Sequence, residues 1–212
     1  MLRGRWARVV LTTTAVQAAA FLVVGCAGSG RAAPAPVISL NGAGTPASTG
    51  QSPVPVESNP PGDSPDGLGY VVYSSPTGHY SFTHPEGWVQ TGQAAAVTFV
   101  GKLSGVHAEP GVRKAPPTPA DARTEIPALQ AAQAAFEVRT VGAASLPAGN
   151  GVLIVYRRNS PPDPVTGRQY RDEVQRYEVV KGGREVIFEM FGPVGSDNVD
   201  AYRTMSQSLR IA

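Results

Sequence analysis

The stretch "YSSPTGHYSFTHPEGW", Tyr73 to Trp88, is the part of the chain whose pattern most clearly indicates a fold. Aromatic and polar residues alternate on both sides of "SPTG", Ser75 to Gly78, which favours two strands joined by a turn. Pro85 is expected to end the second strand. Gly87 should then turn the chain so that Trp88 enters the core. The stretch therefore predicts a β-hairpin at the start of a folded domain.

Alternation of apolar and polar residues continues to the end of the chain. In the last of these segments Val186, Phe188 and Met190 face one way, while Glu185 and Glu189 face the other. Gly182-Gly183 is a strong signal for a two-residue hairpin turn before it. Further strands are predicted over residues 97–103, 105–114, 136–146, 150–159, 169–180 and 184–192.

A helix is predicted in the middle of the domain. Thr118 suits its N-cap, Pro119 its first position and Asp121 its positive end. Pro127 is expected to break or kink it, because proline removes a backbone hydrogen bond. The pattern therefore predicts a short turn followed by a helix rather than one continuous helix.

A second helix is predicted over residues 196–209, capped by Ser196 or Asn198. Its buried stripe is expected to consist of Val199, Tyr202, Met205 and Leu209. Since strands dominate and the helices are few, residues 70–212 are predicted to form one α+β domain, an antiparallel sheet flanked by helices.

The motif from Tyr73 to Trp88 resembles the opening of PsbP-like domains, in which a Pro-x-Gly-Trp turn follows two strands. The resemblance continues at Phe99-Val100 and ends with a helix leading to "SLRI", Ser208 to Ile211. It departs at His84, where an aromatic residue is commoner, and at the long insert "NSPPDPVTG". The resemblance implies a twisted antiparallel sheet between helices. It also implies docking onto other proteins rather than catalysis, as in many actinobacterial lipoproteins.

The N-terminal segment combines a basic start, an uncharged apolar run from Val9 to Val24, and the only cysteine of the chain. These are features of a secretory signal peptide. Val23-Val24-Gly25-Cys26 resembles the lipobox of bacterial lipoproteins. The resemblance implies that residues 1–25 are removed and that the Cys26 sulfur carries a diacylglyceryl anchor. An uncleaved membrane helix and an unlipidated secreted protein are the alternatives. The run is shorter than the roughly 20 residues that a span needs.

Residues 26–69 are predicted to form a disordered linker after the lipidated cysteine. Residues 27–69 contain no aromatic residue, and proline, glycine, serine and threonine dominate them. Such a composition buries too little apolar area to offset the entropy of ordering. Loss of the signal peptide removes three arginines, which leaves 15 basic against 16 acidic residues. The near-neutral charge argues against a nucleic-acid partner.

No pattern in the chain specifies a catalytic or metal site. His79 and His84 are five residues apart, so alternation places them on opposite faces of a strand, and His107 lies on another segment. Structural or surface histidines are therefore expected, with no metal and no cofactor. A Ser-His-Asp site stays open, because its members need only meet in space. Trp88 is expected in the core, with a ligand platform as the alternative.

The segment "NSPPDPVTGR", Asn159 to Arg168, is longer than a connection between two strands requires, and such loops are often functional. Its three prolines should stiffen it, and Asp163 should bond the backbone two residues on. Arginines around it offer donors suited to carboxylates or phosphates. The predicted partner-binding residues are Arg157, Arg158, Asp163, Arg168 and Arg171. A stiff, inert hairpin is the alternative.

The sequence thus predicts a lipoprotein attached through Cys26 to the extracytoplasmic face of a cell membrane. Its domain is expected to be a non-catalytic binding or accessory module that docks to envelope proteins, such as a transporter subunit, or to ligands. The alternative is an envelope hydrolase with a dispersed active site.

Overall fold

The computed structural model describes residues 50–65, 67–92 and 95–212, all of which belong to one compact unit. The signal peptide, Cys26 and the first half of the predicted linker lie outside the described residues. Ten strands and two helices form the described domain, which confirms the predicted α+β fold class. They are β1 (Tyr70–Ser74), β2 (Tyr80–Pro85), β3 (Val89–Thr91), β4 (Val97–Gly101), β5 (Ser104–Val112), α1 (Pro119–Ala132), β6 (Glu137–Leu146), β7 (Gly149–Asn159), β8 (Arg171–Lys181), β9 (Arg184–Pro193), α2 (Val199–Ser208) and β10 (Arg210–Ile211).

The strands form two antiparallel sheets. Seven strands follow the order β3-β4-β5-β9-β8-β7-β6, and three follow the order β1-β2-β10. The predicted hairpin at Gly182-Gly183 is confirmed, since Lys181 pairs with Arg184 and both glycines have positive φ angles of 60° and 82°. The initial hairpin is confirmed as well, because Ser74 pairs with Ser81 across the predicted turn.

The larger core lies between one face of the seven-stranded sheet, β2 and α2. Phe82 of β2 meets Phe188 of β9 edge to face, with 5.0 Å between ring centroids. Val186, Phe188 and Met190 are all buried in this core, as their alternation predicts. The other face of β7 and β8 forms a second core with α1 and the segment that follows it, built around Ile154, Tyr156 and Val174.

Helix α1 begins as its sequence predicts. Thr118 is the N-cap, and its side chain and that of Asp121 form a reciprocal capping box. The predicted break at Pro127 is wrong, because α1 continues to Ala132 with Pro127 inside it. Pro127 and Arg123 both face solvent, so water can replace the hydrogen bond that the proline removes from the Arg123 carbonyl.

Helix α2 keeps most of its predicted buried stripe. Tyr202, Met205 and Leu209 are buried, whereas Val199 is 70% exposed and Ala201 takes an inward position instead. Asn198 occupies the N-cap position without a side-chain capping bond. Its side chain instead bonds Ser104 and Ser64.

Residues 50–65, here called the strap, lie against the domain, although they fall within the predicted linker. The Val54 amide donates to Asn159 Oδ1 at 3.0 Å, and Asn159 Nδ2 donates to the Ser52 carbonyl at 2.8 Å. Farther along, Ser104 Oγ donates to the Gly62 carbonyl at 2.8 Å. For residues 50–65 the structure therefore differs from the prediction of disorder, because specific hydrogen bonds hold a segment that has little apolar surface.

Neither helix of the described residues is long and apolar enough to cross a membrane.

Candidate functional site

The long loop between β7 and β8 has a fixed conformation. Asp163 Oδ1 accepts hydrogen bonds from the Val165 amide at 3.1 Å and from the Thr166 amide at 2.7 Å. The bond across two residues confirms the turn predicted for Asp163. These hydrogen bonds hold the pKa of Asp163 below its usual value, and the bond from Thr166 contributes most. The carboxylate therefore stays charged, and its hydrogen bonds to the two amides stabilise the conformation of the tip.

Backbone bonds close the loop at its base. The Ser160 amide donates to the Tyr170 carbonyl at 2.8 Å, and the Tyr170 amide donates to Ser160 Oγ at 2.9 Å. Closer to the tip, the Asp163 amide donates to the Arg168 carbonyl at 2.9 Å. These bonds satisfy backbone groups that a longer strand ladder would otherwise pair. The loop is thus a continuation of the β7–β8 hairpin with an ordered end.

The strap supports one side of the loop. Arg168 pairs with Glu57 of the strap, and its guanidinium lies over the Tyr170 ring at 4.9 Å from the centroid. The amides of Gln51 and Gln169 lie within hydrogen-bonding distance, at 3.3 Å. Strap and loop therefore form one surface, which the sequence did not indicate, because the two segments are more than 100 residues apart.

The other predicted arginines point into the domain or along its sheet. Arg171 is buried and donates to the Ala135 carbonyl at 2.6 Å and to Glu137 Oε2 at 3.0 Å. Arg157 pairs with Glu173 at 3.1 Å on the neighbouring strand. These arginines fasten the base of the loop to the segment after α1 and to β8.

Arg158 lies between a carboxylate and an aromatic ring. It donates to Gln133 Oε1 at 2.9 Å and sits 5.3 Å from the centroid of Phe191. Its Nε is 3.9 Å from Asp172 Oδ2. Asp172 is only 2% exposed, and burial raises its pKa to about 6 against the opposing effect of Arg158 and Arg171. This buried pair lies beneath the loop.

The tip of the loop presents apolar surface rather than these arginines. Pro161, Pro162 and Pro164 are exposed, and Val165 is 91% exposed. The prolines restrict the backbone, and the Asp163 turn fixes the position of Val165. The site thus consists of a protruding, preformed apolar tip on a charged and hydrogen-bonded base.

The three histidines lie apart. His79 is exposed in the turn before β2 with a φ of 56°, whereas His84 is buried in the larger core and His107 stands on β5. Within residues 50–65, 67–92 and 95–212, no three His, Cys, Asp or Glu side chains are grouped as they would be to hold a metal ion.

The surroundings of His107 bear on the hydrolase alternative, because a hydroxyl and a carboxylate lie beside its ring. Thr98 Oγ1 is 2.8 Å from His107 Nδ1, and His107 Nε2 is 3.7 Å from Glu109 Oε2. The group stands on a partly solvent-exposed face of β4 and β5, with the Glu109 side chain 56% exposed. In nucleophilic catalysis, an imidazole oriented by a carboxylate activates a hydroxyl, so this group is the one on which the hydrolase alternative rests.

Comparison with known proteins gives similarity in structure only. No protein-family model matches the chain, and no curated protein matches it. The chain is 17% identical to the cyanobacterial PsbP (CyanoP) from Synechocystis sp. PCC 6803, over 70% of this chain and 98% of that one, with a TM-score of 0.46. It is 10% identical to a protein from Bacteroides thetaiotaomicron VPI-5482, over 66% of this chain, with a TM-score of 0.40. The chain spans about half the length of the Bacteroides protein, 48%.

Proposed function

We propose that the protein is a lipoprotein of the cell envelope whose domain is a non-catalytic binding module. The lipobox-like Val23-Val24-Gly25-Cys26 supports attachment through Cys26 to the outer face of a cell membrane. The resemblance of Tyr73 to Trp88 to PsbP-like domains supports docking onto other proteins rather than catalysis. The partner is an envelope protein, such as a subunit of a transporter.

The preformed tip of the β7–β8 loop is the observation that carries the proposal. A loop that is already ordered loses little conformational entropy when a partner covers it. Val165, at 91% exposure, gives that partner an apolar anchor, and the surrounding prolines add further apolar surface. Since Arg157, Arg158 and Arg171 are already paired with groups of the domain itself, we assign recognition to the tip and give these arginines the role of holding its base.

The test is photocrosslinking in cells from a single position. A photoreactive amino acid replaces Val165 in the full-length chain, and the control carries the same amino acid at Val112, which is 90% exposed on β5. We expect a specific protein to be captured from position 165 and not from position 112. In a chain labelled at Pro162, Val165→Asp should abolish that capture because it places a charge in an apolar contact. Equal capture from both positions would contradict the proposal.

The hydrolase alternative rests on Thr98, His107 and Glu109. Its test is the hydrolysis of a chromogenic ester by the full-length chain and by Thr98→Val, which has nearly the same shape without the hydroxyl. If the group is catalytic, the variant loses the activity that the wild type shows, because the hydroxyl is the nucleophile. We expect equal rates, because Glu109 Oε2 is 3.7 Å from His107 Nε2, too far for a hydrogen bond that would orient the imidazole, and the Glu109 side chain is 56% exposed.

A further inference from the structure

A cavity of about 280 Å³ lies at the opposite end of the strap from the β7–β8 loop. Its walls come from three places: the end of the strap with the residues that follow it, the turn after β2, and the β4–β5 turn. The lining residues that matter are Asp63, Pro65, Leu68, Glu86, Trp88 and Lys102. The cavity is large enough for one side chain but small for a whole drug-sized ligand.

Trp88 forms a fixed wall of this cavity. A Cβ atom at Gly101 would lie 2.2 Å from Cδ1 and Nε1 of the indole, so the ring occupies the place of the missing side chain. Trp88 packs against the larger core, and the residue as a whole is half-buried. The indole is therefore held by Gly101 and the core, and it offers the cavity an aromatic surface.

The strap end is fixed as firmly as the indole. The Ser64 hydroxyl donates to Asn198 Oδ1 at 2.5 Å, and the Ser64 amide donates to the Asp197 carbonyl at 3.1 Å. Asp63 Oδ1 accepts from the Asp197 amide at 2.8 Å. Asn198 and the Ser104 hydroxyl that it bonds are both buried. The wall that carries Asp63 is therefore preformed.

The charge around the cavity is negative. Asp63 and Glu86 bring two carboxylates, and Lys102 brings one ammonium group. Lys102 is exposed in the β4–β5 turn, with a φ of 52°. Asp63 lies at the end of the strap, and Glu86 lies in the turn after β2. An aromatic face beside carboxylates suits a cation, since the ring and the carboxylates attract it together.

We propose that this cavity binds an arginine side chain of a partner polypeptide, with the guanidinium group against Trp88 and paired with Glu86 and Asp63. A guanidinium is planar and weakly hydrated, so it stacks on an indole and still donates to carboxylates. Pro65 and Leu68 contact the aliphatic part of the side chain. This contact is separate from the loop tip at Val165 and does not depend on it.

The test uses the indole of Trp88 as its probe, since the chain contains only two tryptophans, Trp6 and Trp88. In the full-length Trp6→Phe chain, the Trp88 indole N–H gives the only indole signal in a proton–nitrogen correlation spectrum. The probe is Nα-acetyl-arginine methylamide, and the matched control is the citrulline analogue, which has the same shape without the charge. We expect a saturable shift with a millimolar Kd for the arginine probe and about tenfold weaker binding of the citrulline probe.

A matched pair of variants then assigns the binding to this cavity. Glu86→Gln should weaken the arginine probe about threefold to tenfold, because it removes one carboxylate without changing the shape. Glu125→Gln, a partly exposed acid on α1, should leave the Kd unchanged. Equal shifts from the two probes, no saturable shift from the arginine probe, or undiminished binding in Glu86→Gln would each overturn the proposal. Loss of capture from position 165 would leave it standing, because that test concerns another surface.

Discussion

The imidazole of His84 lies almost parallel to the ring of Phe99, with 3.7 Å between ring centroids and 18° between their planes. Its Nδ1 lies 2.9 Å from the Pro85 carbonyl, so the neutral ring can donate a hydrogen bond there. The residue thus fills an aromatic place in the core, where the resemblance to PsbP-like domains leads one to expect an aromatic residue. Burial lowers the pKa of His84, and the Pro85 carbonyl only partly opposes this effect.

His84 should make the domain sensitive to acid. Because its pKa is lower in the folded chain than in the unfolded chain, the unfolded chain binds the proton first as the pH falls below about 6.5. The stability that depends on neutral His84 is therefore present above that pH and is lost below it. We expect His84→Phe to reduce this loss in urea unfolding at a series of pH values, and to change the stability at pH 8 by less than about 1.5 kcal/mol. An unchanged acid profile in His84→Phe would show that the ring is not the group that titrates.

Asp172 should act in the opposite direction. Its pKa rises from 3.8 to about 6 in the folded chain, so between these values the folded chain holds the proton more tightly. The stabilising effect is complete below about pH 4 and is lost as the pH rises through 6, with an upper limit of about 3 kcal/mol. Asp172→Asn should flatten this part of the unfolding profile. Asp200→Asn, at a 73% exposed side chain, is the control that should not change it.

The strap should stabilise a domain that folds without it. A chain that begins at residue 70 is expected to unfold cooperatively, but at lower urea than one that begins at residue 50. Removal of the strap takes partners from Asn159, Ser104 and Asn198, which are buried, and each loss costs about 1–3 kcal/mol unless water replaces the partner. Equal midpoints for the two chains would mean that the strap contributes nothing, and failure of the shorter chain to fold would place the boundary before residue 70.

Cys26 is expected to carry the lipid. Cells that express the full-length chain should incorporate labelled palmitate into the wild type and not into Cys26→Ala, because only the thiol can form the thioether. The chain contains a single cysteine, so no other thiol can take the label. The same variant should leave the membrane fraction, since two acyl chains anchor stably. Equal labelling of both chains would contradict the prediction.

The local pattern predicted most elements of the fold, because alternation, turn residues and caps act over short stretches. The capping box of Thr118 and the Gly182-Gly183 hairpin are examples. Pro127 misled the prediction because its cost depends on whether the Arg123 carbonyl reaches water, which only the packed helix shows. Propensity is a weak guide where solvent exposure decides the result.

The candidate site was less predictable than the fold. Asp163 bonds its own neighbours, so its turn could be predicted from residue type alone. Arg158 and Arg171 donate to Gln133, Ala135 and Glu137 because the segment after α1 lies against the ends of β7 and β8, a contact that no local pattern specifies. The strap was missed for the same reason, since Val54 and Asn159 are brought together only by the complete fold.

The strap also determines how the domain responds to a pulling force. A load applied before residue 50 reaches the contacts of Gln51, Ser52 and Val54 with the loop before it reaches β1. These contacts are few and carry the load one after another, so they should separate at lower force than the paired strands of the sheet. Release of the whole strap, including its later contacts at Gly62 and Ser64, would lengthen the chain by up to about 50 Å, at roughly 3.3 Å for each extended residue. The domain would remain folded while the chain before it becomes longer. The strap would therefore extend under load and limit the force that reaches the sheet.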